Sequence, residues 1–126
     1  MNVYLTIGAV LALGIGLAHS YLGERYILIR LFKRGSLPHL FGSDDFTKRT
    51  LRFVWHAMTI AWWGLGAMMV VYAAGQINQP GRAALAVVAL TFLVTSAIAL
   101  VITRGRHLSW VVFLAIALVC WLGRYF

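Results

Sequence analysis

The sequence is short of acidic residues, cysteine and proline. Of its 126 residues only three are Asp or Glu, one is Cys and two are Pro. A single cysteine excludes an internal disulfide framework, so the fold does not depend on cross-links. Charged residues make up 11% of the chain and hydrophobic residues 62%, which is too apolar for a soluble surface. The composition therefore excludes a soluble globular domain and predicts an integral membrane protein.

Four apolar stretches alternate with charged or polar segments. They predict an all-α integral membrane protein, a single domain over residues 1–126, with four transmembrane helices at about 3–22, 44–74, 82–103 and 108–123. Residues 23–43 are predicted as a cytoplasmic interfacial loop, whose first part either lies in the membrane interface or extends the first helix. Short connections make sequential helices antiparallel neighbours, which predicts an up-down-up-down four-helix bundle.

The basic residues are distributed very unevenly between the two ends of this bundle. Only Arg82 and Arg124 fall at one end, and the other nine of the eleven basic residues fall at the opposite end: Arg25, Arg30, Lys33, Arg34, Lys48, Arg49, Arg52, Arg104 and Arg106. The positive-inside rule places the basic end in the cytoplasm, with both termini outside, in a multi-pass protein of the inner (plasma) membrane. Anionic lipid head groups are the expected partners of this charge, which does not require a nucleic acid.

Histidines near the basic end are the main candidates for a functional site. If the first two helices cross the membrane, His19 and His56 lie at the same depth, roughly 6 Å inside the charged boundary. Ionisable groups at such depth are costly and mark functional positions. His107 precedes the fourth helix at the same membrane face and is a third candidate. The three histidines are therefore predicted ligands of a transition metal or of haem b.

Further polar residues follow helical spacing towards the same end. The second helix carries a seam with steps of three and four, and the first helix carries a surface of small residues that ends near His19. Glu24 is about 140° from His19 on an ideal helix, so it joins the site only if Gly23 bends the chain. The predicted supporting residues are Ser20, Glu24, Arg49, Arg52, Thr59, Trp63 and Arg106.

Two classes of function fit these residues. In the first, the imidazoles hold a metal ion or a b-type haem whose propionates meet arginine side chains. In the second, a non-enzymatic membrane protein binds lipid or serves as an accessory or assembly subunit, and the same residues fix helix ends and contact phosphates. A partner membrane protein or a second copy is possible through the surface of Gly8, Ala12 and Gly16. No pair of nucleophile and base is recognisable, which leaves open whether the protein is an enzyme.

One part of the sequence resembles a known group of proteins. The pattern is HSxLGE at residues 19–24 followed by RxLRxxWH at residues 49–56, with Trp62, Trp63 and Gly64 beyond it. It resembles an uncharacterised bacterial family of small four-helix inner-membrane proteins. The resemblance covers roughly the first half of the chain and singles out His19, Glu24, Arg52 and His56. It implies a membrane fold and no particular activity, cofactor or partner.

Overall fold

A computed structural model describes residues 1–102, 104–106 and 108–126 of the protein. The helices are α1 (Val3–Gly23), α2 (Ile29–Lys33), α3 (Asp45–Ala74), α4 (Gln79–Ile102) and α5 (Ser109–Gly123), with a π-helical segment (Glu24–Leu28) between α1 and α2. The chain divides into two compact units, residues 1–15 with 63–126 and residues 16–62. The prediction of an all-helical architecture is confirmed.

The first helix does not end where the charged segment begins. It continues through the π segment and α2, where the Ile29 N–H donates to the Glu24 carbonyl five residues back. Of the two alternatives for residues 23–33, extension of the first helix is therefore correct, and the connecting loop begins only after Lys33. No proline or glycine interrupts residues 24–34, so the helix continues through them, and Gly35 with a φ of 68° follows its end.

The starts of α3 and α4 are set by local side-chain hydrogen bonds. Ser43 Oγ accepts the Asp45 N–H at 3.3 Å, one residue from the predicted helix start. Asn78 Oδ1 accepts the Gly81 N–H at 2.9 Å, so α4 begins at Gln79 rather than at the predicted residue 82. An Asn cap with Pro in the first turn is a stronger start signal than the apolar run that follows.

The larger unit, residues 1–15 with 63–126, has a close-packed apolar interior. Leu5, Met69, Leu85, Phe92 and Ile116 are fully buried in it. Small residues let the helices approach, since a Cβ at Gly8 would meet Met69 Sδ at 2.8 Å and one at Gly66 would meet the Ala12 Cβ at 3.3 Å. The small-residue surface on α1 is thus used inside the chain.

Three helical segments, Val3–Lys33, Asp45–Ala74 and Gln79–Val101, are long and apolar enough to cross a membrane. Ser109–Gly123 is apolar but shorter. Many large apolar side chains on these helices are exposed, among them Val10, Ile60, Val71, Val87 and Val101, each more than 60% exposed. An outer surface of this kind suits lipid as the surrounding solvent, which agrees with the prediction of a membrane protein.

Candidate functional site

The candidate site lies within residues 16–62, where two helical faces meet. On the first helix the face consists of Gly16, Ser20 and Glu24, spaced by four residues. On α3 the opposing face consists of Arg52, His56 and Thr59, spaced by four and three. These spacings keep side chains on one side of each helix. The six residues are called the polar network below.

Glu24 is the acidic centre of the polar network. Its Oε1 accepts from Arg52 Nη2 at 2.6 Å and from Nε at 3.0 Å, a side-on pairing with the guanidinium. Its Oε2 lies 3.1 Å from His56 Nε2 and also 3.1 Å from Arg52 Nε. A charge-assisted pair of this geometry orients both partners. The Glu24 carboxylate therefore fixes Arg52 and His56 of α3 against the first helix.

The predicted need for a bend at Gly23 is wrong. Gly23 keeps helical dihedrals, with φ −64° and ψ −46°. Glu24 reaches His56 because it shares a face with Ser20, four residues before it, rather than with His19. The π-helical segment begins at Glu24 and widens the helix from there on.

The other nitrogen of His56 continues the polar network into the apolar interior. His56 Nδ1 lies 2.9 Å from Ser20 Oγ, which lies 2.8 Å from Thr59 Oγ1. Thr59 is 2% exposed and its hydroxyl also reaches the Gly16 carbonyl at 3.4 Å. Both nitrogens of His56 and both hydroxyls are thus satisfied, as buried polar groups in a bilayer require.

The polar network accommodates either charge state of His56. In the neutral imidazole, Nε2–H donates to Glu24 and Nδ1 accepts from the Ser20 hydroxyl. In the imidazolium, Nδ1–H donates to Ser20, whose hydroxyl then donates to Thr59 and that of Thr59 to the Gly16 carbonyl.

The order hydroxyl, imidazole and carboxylate also occurs in nucleophilic triads. Here the carboxylate of Glu24 is paired with Arg52, which weakens its ability to stabilise an imidazolium. Ser20 lies within a regular helix, whereas triad nucleophiles of the elbow type sit on exposed turns. The geometry favours helix association over nucleophilic catalysis.

His19 is held by a different set of contacts. Its ring stacks on Trp55 at 4.6 Å with an interplanar angle of 3°, and Trp62 meets it edge-on at 4.9 Å. His19 Nε2 lies 3.2 Å from the Trp55 carbonyl, and Trp55 Nε1 donates to the His19 carbonyl at 3.0 Å. Trp55 is thus part of a reciprocal pair of contacts between the two helices. Gly23 is the sequence feature that allows this contact, because a side chain at this position would occupy the space of the Trp55 indole.

The predicted metal or haem site has no geometric support in the described part of the chain. Among residues 1–102, 104–106 and 108–126, no group of three or more His, Cys, Asp or Glu could hold a metal ion. Both nitrogens of His56 are engaged, so coordination at His56 would displace Ser20 or Glu24. The metal and haem assignments remain predictions.

The remaining predicted site residues lie apart from the polar network. Arg49 is exposed on α3, and Arg106 is exposed in the connection between α4 and α5. Trp63 belongs to the larger unit, where its Nε1 donates to the Leu13 carbonyl at 3.3 Å. His107 lies outside the described residues.

Comparison with protein families, with curated proteins and with solved structures found no match. The resemblance of the HSxLGE and RxLRxxWH pattern to a bacterial membrane family therefore stays a prediction. The function has to be argued from the residues themselves.

Proposed function

We propose that this protein is a non-enzymatic integral protein of the bacterial inner membrane that binds anionic phospholipid head groups with its basic end. Seven of the nine Lys and Arg residues of this basic end lie within residues 16–62. The polar network joins the two helices that present this charge. A protein anchored in this way can also serve as an accessory subunit that binds a second copy of itself or a partner membrane protein.

The first support is the pairing of charges in residues 16–62. All three acidic residues of the chain lie there, and two of them form ion pairs, Glu24 with Arg52 and Asp44 with Lys48 at 3.0 Å. Five further basic residues are exposed and have no carboxylate partner among the described residues: Arg25, Arg30, Lys33, Arg34 and Arg49. Each such charge near an anionic leaflet contributes about 1 kcal/mol to membrane attraction.

The observation that carries the proposal is an exposed aromatic pair beside these charges. Phe41 is 90% exposed and Phe46 is 50% exposed, and their rings meet edge to face at 5.2 Å. Phe41 lies in a tight turn between Leu40 and Ser43. Its backbone φ is 57°, a conformation that residues other than glycine rarely adopt. Strained backbone conformations cluster at functional positions. Apolar rings flanked by basic residues are typical of segments that enter the head-group region.

The depth of this turn in a membrane tests the proposal. A nitroxide at position 39, introduced by His39→Cys, reports depth through its accessibility to oxygen and to a water-soluble nickel chelate. Cys120 is buried, and the unsubstituted protein measures any background labelling. We expect the label to lie deeper in vesicles containing phosphatidylglycerol than in phosphatidylcholine alone. A depth that is the same in both lipids would overturn the proposal.

Variants of Phe41 separate anchoring from folding. Phe41→Trp should retain the depth, whereas Phe41→Ser should move the label towards water. Phe41→Gly should also lose depth while raising stability by about 1 kcal/mol, because glycine adopts a positive φ without steric cost. Retained depth in both Phe41→Ser and Phe41→Gly would show that the aromatic ring does not anchor the turn.

The proposal includes a topology of four antiparallel spans with both termini outside the cytoplasm. Nine of the eleven basic residues on one side support it. Cysteines placed at Ser36 and Gln76 are expected to react with a membrane-impermeant thiol reagent from opposite sides of the membrane. Labelling of position 36 from outside intact cells would contradict this orientation.

A further inference from the structure

The larger unit contains a polar cleft that the proposed function does not use. The cleft has a volume of about 490 Å³ and lies where the α3–α4 connection meets the residues that follow α5. Gln76 and Arg82 line it from one side, and Arg124 and Tyr125 from the other. It therefore brings together Arg82 and Arg124.

These two arginines have no acidic side chain near them in their own unit. All three Asp and Glu residues of the chain lie within residues 16–62, so residues 1–15 with 63–126 contain four arginines and no acidic residue. The two arginines of the cleft form no ion pair with a side chain in the described part of the chain. A guanidinium is always charged, so each requires an anion or water.

Burial makes this requirement stronger. The Nε atoms of Arg82 and Arg124 are both buried and have no hydrogen-bond partner among the described residues. A buried donor without a partner is destabilising, and native structures rarely leave one unsatisfied. Both arginines that line the cleft therefore lack a carboxylate partner and have an unsatisfied donor in the described part of the chain.

The surroundings orient Arg124 without neutralising it. Its guanidinium lies 4.1 Å from the Trp121 ring centroid and 4.7 Å from that of Tyr125, and Nη2 donates to the Tyr125 hydroxyl at 3.0 Å. Stacking on rings fixes the plane of the guanidinium and leaves its charge available. Arg82 lies in the first turn of α4, where the helix dipole adds positive potential.

We infer that the cleft of Arg82 and Arg124 is a binding site for a phosphate group. Tetrahedral phosphate offers several strong acceptors, and the Nη groups of a guanidinium are the donors that reach phosphate oxygens when Nε is buried. A phospholipid head group and a free phosphate share this chemistry. The inference concerns residues of the larger unit and stands independently of the proposed function.

Thermal unfolding in detergent micelles tests the site with defined probes. Purified protein is heated with inorganic phosphate, with dispersed phosphatidylglycerol, and with sodium chloride at matched ionic strength. A ligand that binds only the folded state raises the unfolding midpoint, and we expect a rise of about 3 °C or more with at least one of the first two probes. A response to inorganic phosphate identifies a free phosphate ligand. A response to phosphatidylglycerol alone identifies a head group at the cleft where Arg82→Gln and Arg124→Gln abolish it, whereas a shift that both variants retain arises from the basic end.

Three variants make the result specific to the cleft. Arg82→Gln and Arg124→Gln should each abolish most of the shift, and Arg124→Lys should reduce it because lysine lacks the planar set of guanidinium donors. Arg106→Gln, which removes an exposed charge elsewhere in the same unit, should retain the full shift. Without added ligand, Arg82→Gln should unfold no earlier than the unsubstituted protein, since it removes a buried donor that lacks a partner. Equal shifts in Arg82→Gln, Arg124→Gln and Arg106→Gln, or no shift with either probe, would overturn the inference.

Discussion

His56 Nε2 lies 3.1 Å from the Glu24 carboxylate, and the same carboxylate holds the Arg52 guanidinium at 2.6 Å. One acidic side chain on the first helix thus contacts two residues that are four positions apart on α3. His56 continues from Glu24 to Ser20 through its second nitrogen. The contacts form a connected network, so a change at one member is expected to affect more than one hydrogen bond.

Removal of the Glu24 charge should destabilise the protein more than removal of Arg52. Glu24→Gln weakens contacts to both Arg52 and His56, whereas Arg52→Gln weakens only the first. The Arg52 side chain is 46% exposed and that of Glu24 28%, so the coupling between them should be about 0.5–1 kcal/mol. A double-mutant cycle in the free energy of unfolding measures it.

A double variant in which the two charges are exchanged provides the control for this ion pair. Glu24→Arg combined with Arg52→Glu should recover part of the stability lost in either single reversal. If the double reversal is no more stable than the weaker single variant, direct pairing is not the source of the effect.

Ser20→Ala should lower the free energy of unfolding by about 1 kcal/mol. The substitution keeps the helix but leaves His56 Nδ1 and the Thr59 hydroxyl without their shared partner. Thr95→Ala is the matched control, because the Thr95 hydroxyl is exposed and bonds only to the Thr91 carbonyl of its own helix at 2.8 Å. Reversible unfolding in detergent compares the two. Equal losses would mean that the polar network does not link the helices.

Gly23→Ala and Gly14→Ala should change stability in opposite directions. A Cβ at Gly23 would overlap the Trp55 indole, which would have to leave its stack on His19. At Gly14 a Cβ has open space within 4 Å, so alanine should stabilise the helix by about 0.5–1 kcal/mol. Unfolding free energies and the near-ultraviolet circular dichroism of tryptophan report both effects. A neutral Gly23→Ala would show that the indole does not occupy this space.

An absorption spectrum and an elemental analysis of the purified protein decide the prediction of a metal or haem site. The proposed lipid-binding function expects no visible absorbance and no stoichiometric transition metal. Bound haem or metal that disappears in both His19→Ala and His56→Ala would instead support the cofactor prediction, with the two imidazoles acting as one site. Release on acidification through about pH 6 would add to that support, because protonated imidazole does not coordinate.

Several members of the polar network were predictable from residue type and spacing. Glu24, Arg52 and His56 stand out because ionisable residues in apolar helices are costly and need partners. Ser20 and Thr59 were predicted as supporting residues, as were Glu24 and Arg52. The pairing of His19 with Trp55 was not predicted. It depends on the close approach of α3 at Gly23, and a single glycine in an apolar helix does not specify which residue of another helix lies against it.

The sequence alone determined that the protein is helical and suited to a membrane. A bilayer requires long apolar helices. The length of a helix, its cap, such as Asn78, and its end, such as Gly35, are local properties that one segment of sequence can specify. Only the tertiary structure decided which polar groups meet: that Glu24 contacts both Arg52 and His56, that His56 uses both nitrogens, and that Arg82 and Arg124 line one cleft. The reason is that these contacts depend on the rotation and separation of neighbouring helices, which packing across the whole interior sets.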